Sequence, residues 1–82
     1  MKKQKYQTKT GVTQYRPVVR EERYWTLLDE DAGFCLACGA EAYGVEPDAR
    51  RYTCGACEAP KVYGLEELLI MGLVRFTGKV SA

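Results

Sequence analysis

The spacing of apolar residues divides this chain into segments of different character. After the leading Met, residues 2 to 11 are Lys, Gln, Thr and Gly around Tyr6, a composition that predicts a mobile segment. Val12 to Arg20 contains Thr and Val and reads as extended, with Pro17 confining it to an edge strand or a linker. Glu21 to Asp31 then takes a helical rhythm. Tyr24, Trp25, Leu27 and Leu28 fall on one stripe, and Glu21 and Glu22 sit in the first turn, where the helix dipole favours acids. Asp29, Glu30 and Asp31 oppose the dipole at the other end, so Asp31-Ala32-Gly33 is the expected terminator. Phe34 to Tyr43 and Arg51 to Cys54 read as strands, joined through the turn Glu46-Pro47-Asp48. Val62-Tyr63 reads as a short strand. Gly64 to Leu73 is the clearest helix, with Leu65, Leu68, Leu69, Gly72 and Leu73 on one side and Ile70 and Met71 widening the apolar surface.

Four cysteines punctuate the strand region as Cys35-Leu-Ala-Cys38 and Cys54-Gly-Ala-Cys57, with fifteen residues between the pairs. The chain has no further cysteine and no histidine. Two Cys-x-x-Cys turns on adjoining hairpins converge four soft ligands on one point, as a tetrahedral metal requires. Backbone N–H groups inside each turn fix the sulfurs and spread their charge. A glycine after the second cysteine eases a left-handed backbone, which Gly39 supplies in the first turn. The second turn has Glu58 there, with Gly55 inside the turn, so it is expected to be less regular. Glu58-Ala59-Pro60 closes it.

Length makes the metal matter. At 82 residues the chain holds one small domain, whose core is marginal without a staple. The divisions expected are a basic flexible or extended arm at 1–20, the metal domain at 21–77 and a tail at 78–82. Lysines open the chain, but no apolar stretch follows them, and the longest apolar run, Leu68 to Val74, is far short of the about 20 residues of a membrane span. The expected compartment is the cytoplasm, where thiols stay reduced. That favours a metal over the alternative of two disulfides. Charge is uneven. Residues 1 to 23 carry seven basic and two acidic side chains, net +5, and the remainder carries five basic and nine acidic, net −4. Four thiolates and one zinc ion would take the second part to −6. That part repels a polyanion, so the arm is where nucleic acid would bind.

The segment from about residue 33 to 63 resembles the zinc-ribbon class, in which two knuckles at hairpin tips hold one structural zinc ion. More narrowly, Gly33-Phe34-Cys35-Leu36-Ala37-Cys38-Gly39-Ala40-Glu41, Glu46-Pro47-Asp48-Ala49-Arg50 and Val62-Tyr63-Gly64-Leu65-Glu66-Glu67-Leu68-Leu69 resemble a family of short phage, prophage and bacterial proteins. That resemblance implies zinc on Cys35, Cys38, Cys54 and Cys57 and a phage or mobile-element origin. It implies no activity, and it leaves out the first 23 residues. Cys35-x-x-Cys38-Gly39 followed by Tyr43 is also similar to a rubredoxin first knuckle, which implies iron and electron transfer. The spacer is shorter than in that family, and Gly55 and Glu58 stand where its second knuckle has Pro and Gly. Thiolates suit both metals, so iron is the alternative ion.

The fold expected is α+β: a small zinc ribbon with two knuckle hairpins, a short N-terminal helix and a C-terminal helix. An enzyme is not expected. Four cysteines leave no open coordination position, there is no histidine to act as base, and Ser81 in the tail is the one serine. The function expected is a non-enzymatic binding module. Leu65, Leu68 and Leu69 are expected to pack inward. Ile70, Met71 and Leu73 are the candidate contact for a host protein or for a second copy of the chain. The alternative is nucleic-acid binding through Lys2, Lys3, Lys5, Lys9, Arg16, Arg20 and Arg23, with Tyr6 and Tyr15 interleaved and Arg50 and Arg51 beside the second knuckle.

Overall fold

The computed structural model describes residues 1–77. Within them the chain forms β1 (Lys2–Gln7), β2 (Thr13–Arg20), α1 (Glu21–Asp29), β3 (Ala32–Cys35), β4 (Glu41–Tyr43), β5 (Tyr52–Thr53), β6 (Pro60–Gly64), α2 (Leu65–Ile70) and β7 (Arg75–Thr77). The architecture is α+β with two sheets, one in the order β1-β2-β7 and one in the order β4-β3-β6-β5. In the second sheet the neighbouring strands are antiparallel, and β3 and β6 lie at its centre.

The first 20 residues are not a loose arm. They form an antiparallel hairpin in which Lys2 faces Val18 and Gln7 faces Thr13. The turn is closed by the Thr8 amide on the Val12 carbonyl and the Gly11 amide on the Thr8 carbonyl, each 2.9 Å, with Gly11 at φ +84°. A polar composition hid this strand because β1 buries little of its own surface. Register, a glycine turn and anchoring on the rest of the protein hold it instead. The Met1 amine lies 2.6 Å from Glu41, and the Tyr15 amide donates to the Leu36 carbonyl at 2.8 Å. β7 adds a parallel strand to β2, pairing Val18 with Arg75 and Arg20 with Thr77. Three residues of Arg, Phe and Thr show no distinctive periodicity, so that strand was not foreseen. The expected tail at 78–82 lies outside the described residues.

α1 begins where expected and stops at Asp29, and Asp31 turns the chain with φ +55°. Of its apolar stripe, Tyr24 and Leu27 are buried and Leu28 is half-buried, while Trp25 is 56% exposed. Trp25 packs its edge against Tyr24 at 5.1 Å between ring centres. α2 is shorter than expected because Gly72 ends it rather than joining its apolar face. Gly72 takes φ +76°, and the Leu73 amide reaches back to the Leu68 carbonyl at 2.9 Å, a Schellman closure. Leu65 and Leu68 are fully buried. Leu69, expected inside, is 39% exposed.

Two apolar clusters result. The larger joins Val19, Tyr24, Leu27, Phe34, Leu36, Tyr63, Leu65 and Leu68, so both helices and both sheets share it. The smaller lies under the cysteines and contains Cys35, Val45, Ala49, Cys54 and Val62. The Glu46-Pro47-Asp48 turn clasps the end of β6. The Gly64 amide bonds the Ala49 carbonyl and the Glu67 amide bonds the Pro47 carbonyl, both at 3.0 Å. A Cβ on Gly64 would run into the backbone oxygens of Glu46 and Pro47, so that approach requires glycine.

Candidate metal centre

Each Cys-x-x-Cys turn sits between two strands of the four-stranded sheet, the first between β3 and β4 and the second between β5 and β6. The two turns share one backbone pattern. The Gly39 amide bonds the Cys35 carbonyl at 2.8 Å and the Cys35 amide bonds the Ala40 carbonyl at 2.9 Å. The Glu58 amide bonds the Cys54 carbonyl and the Cys54 amide bonds the Ala59 carbonyl, both at 2.9 Å. Gly39 at φ +81° and Glu58 at φ +66° occupy the same left-handed position. The second turn is therefore as regular as the first. Glu58 accepts a backbone conformation that glycine would take without strain.

Because β3 and β6 are neighbours, the two turns meet at one end of the sheet. The four sulfurs lie within 4.8 Å of one another, with Cys35 to Cys57 and Cys38 to Cys54 each 3.7 Å apart. A disulfide would need about 2.05 Å. Zinc–sulfur bonds of about 2.3 Å in a tetrahedron set the sulfurs about 3.8 Å apart. The donor set and its spacing therefore fit one tetrahedral ion. Cys35 and Cys54 are buried, Cys38 is half-buried and Cys57 is exposed, so the site is anchored from the core and reaches the surface on one side.

The protein treats the sulfurs unequally. The amides of Cys57 and Ala56 point at the Cys54 sulfur, at 3.4 and 3.3 Å, and hold that thiol down to about 6. Burial pushes the Cys35 thiol up to about 12, against the opposing pull of the Cys38 and Ala37 amides. Burial also raises Cys38. A cation approaching at neutral pH thus meets the Cys54 thiolate and displaces protons from Cys35 and Cys38 as it settles.

The other sequence-predicted residues are scattered. Lys3 reaches the first turn, donating from Nζ to the Cys38 carbonyl at 3.2 Å. Its ammonium also lies 5.0 Å from the centre of the Tyr15 ring. Lys2 and Arg16 lie on the opposite face of the hairpin, Lys5 shares the face of Tyr15, and Lys9 is in the turn. Arg50 pairs with the buried Glu67 at 3.1 Å, which commits it to the fold. Arg51 is exposed with φ +56°. Ile70 and Met71 are 74% and 43% exposed, whereas Leu73 packs against the larger core cluster. Sequence reasoning grouped Arg20 with Lys2 and Arg16 but missed Arg75. Only the β2–β7 pairing, which no short-range pattern encodes, brings Arg75 to them. Among the described residues, no helix is long and apolar enough to cross a membrane. Comparison with family models, with curated proteins and with solved structures gives no match for this chain.

Proposed function

We propose that this chain is a non-enzymatic binding module of zinc-ribbon type, in which Cys35, Cys38, Cys54 and Cys57 hold one structural zinc ion. The observation that carries this reading is the convergence of four sulfurs at tetrahedral spacing from two matched turns. Four thiolates fill the coordination sphere and leave no position for a substrate or an activated water, which argues against catalysis at the metal. Iron would fit the same four sulfurs, and the metal content of purified protein separates the two. Cys54→Ser tests the structural role. The variant is expected to lose the ion and its cooperative unfolding transition together. A variant that binds no metal and melts where the parent does would overturn the reading.

A protein partner is the second reading, supported by Leu69, Ile70 and Met71 at the exposed end of α2. Three partly exposed side chains make up only a fraction of the roughly 800 Å² that each partner buries in a stable complex. Contact there would be weak or transient unless neighbouring surface joins it. Ile70→Asp should leave metal content and melting temperature unchanged and abolish such contact. A partner that binds this variant as well as the parent would exclude the end of α2.

A further inference from the structure

The three-stranded sheet carries no cysteine, and its outer face lies opposite the side that Lys3 and Tyr15 fasten to the metal-binding turn, so that face can be read independently of the proposed zinc. Strand register sorts its side chains. Lys3, Tyr15, Pro17 and Val19 turn toward the knuckle and the core. On the other side, the register lines up four rows: Tyr6 with Gln14, Gln4 with Arg16, Lys2 with Val18 and Arg75, and Arg20 with Thr77. None of these side chains is buried. Rows two residues apart lie about 6.6–6.8 Å from one another, so Arg16, Lys2 with Arg75, and Arg20 place cations at regular steps along the face. Among the described residues the face itself has no carboxylate. Glu22, on α1, touches Arg20 at 3.7 Å, and both side chains are largely exposed, so that pair is weak.

The polar groups on this face are also held in place. Gln4 accepts from Arg16 Nε at 2.7 Å, and Tyr6 donates to Gln14 at 2.9 Å. The Arg16 guanidinium lies 4.9 Å from the centre of the Tyr6 ring, which makes a preformed stack of aromatic and planar cation. Past the Lys2 end of β1 a cleft of about 450 Å³ opens at the end of the sheet, lined by residues of both its faces. Val18, Val19 and Met1 line it with apolar surface, and Lys2, Arg20 and Arg23 bring cationic side chains to it. An apolar recess bordered by cations suits a planar base joined to phosphates. The remainder of the protein is net negative, which turns a polyanion toward this face and away from the metal.

We propose that the outer face of the β1–β2–β7 sheet binds single-stranded nucleic acid, with Lys2, Arg16, Arg20 and Arg75 on the phosphates and the Tyr6–Arg16 stack against a base. The planar groups of Tyr6 and Arg16, half-buried on this face, favour a single strand, because only unpaired bases can lie on them. The surface goes beyond the zinc-module reading and does not depend on which metal is bound.

The test is fluorescence anisotropy of the full-length, metal-loaded protein with a labelled single-stranded oligonucleotide of about 15 nucleotides, with the matching duplex and heparin as comparators. Metal content and circular dichroism are recorded for every variant. Arg16→Gln and Arg75→Gln should each lower the slope of log affinity against log salt by about 0.7. Tyr6→Ala should weaken single-strand binding about tenfold while leaving the salt slope near that of the parent. If Tyr6→Ala disturbs the hairpin, Tyr6→Leu keeps the bulk and removes the stacking surface. Lys9→Ala, in the turn, should change affinity less than any of these. Failure of the folded, metal-loaded protein to bind the single strand at about 50 mM salt would overturn the proposal and leave the zinc reading standing. Equal binding of duplex and heparin, with no effect at Tyr6, would overturn it as well.

Discussion

The Lys3 ammonium donates to the carbonyl of Cys38 at 3.2 Å, which ties the first strand of the N-terminal hairpin to the first metal-binding turn. The aliphatic stem of Lys3 lies against Gly39, where a Cβ would collide with it. The Tyr15 amide on the Leu36 carbonyl makes a second tie between the same two parts, at 2.8 Å. The hairpin is thus fastened to the turn that the metal would fix. Loss of metal is expected to loosen both. Lys3→Ala, which removes an exposed hydrogen bond, should cost about 0.5–1 kcal/mol. It should also raise amide hydrogen exchange at Tyr15 toward that of the chelated protein. Unchanged exchange at Tyr15 in both the variant and the chelated protein would separate the hairpin from the metal centre.

That tie explains which parts of the fold were legible in the sequence. The cysteine spacing predicted a cluster because each turn is local and the two hairpins adjoin. α1 was legible because Tyr24 and Leu27 repeat at helical spacing over a buried face. β1 was not, because Lys2, Gln4 and Tyr6 gain their order from cross-strand partners eight or more residues away. Gly72 sat in phase with the apolar positions of α2, and its left-handed φ, which ends the helix, has no periodic trace. Trp25 shows the converse. It falls on the predicted stripe, yet it lies outside because Tyr24 and Leu27 already fill the contact with the core.

Glu58 holds a left-handed backbone position that its counterpart Gly39 occupies freely. Glu58→Gly relieves about 1–2 kcal/mol of steric cost and gives back part of it as unfolded-chain entropy. A net gain of about 0.5–1 kcal/mol is expected, read from denaturant unfolding of the metal-loaded protein. A loss of stability would show that the Glu58 side chain contributes more than its backbone strain costs.

Leu68 and Ile70 sit two residues apart on α2 with opposite burial, the first fully enclosed and the second 74% exposed. Leu68→Ala should destabilise by about 2–5 kcal/mol, a large share of what so small a domain possesses. Ile70→Ala should stay within about 0.5 kcal/mol. Equal losses at the two positions would mean that Ile70 is covered in solution, and sedimentation would then show whether a second copy of the chain does so.

Metal uptake should depend on pH with a definite sign. Cys35 and Cys38, raised by burial, enter the site as thiols and must each release a proton, whereas Cys54, held down to about 6, is already ionised at neutral pH. Zinc affinity therefore rises with pH. It should fall more steeply below about pH 6, where Cys54 also becomes protonated and adds its proton to those displaced. Calorimetry of zinc binding in buffers of different ionisation enthalpy counts the protons. A proton count that does not increase below that pH would contradict the assignment of Cys54 as the first thiolate.

The most direct test of the account is the metal content of the purified chain together with its thermal unfolding before and after chelation. One zinc ion per chain, with the cooperative transition lost on chelation and restored by added zinc, is the predicted result. A metal-free chain that unfolds at the same temperature with and without chelator would contradict it.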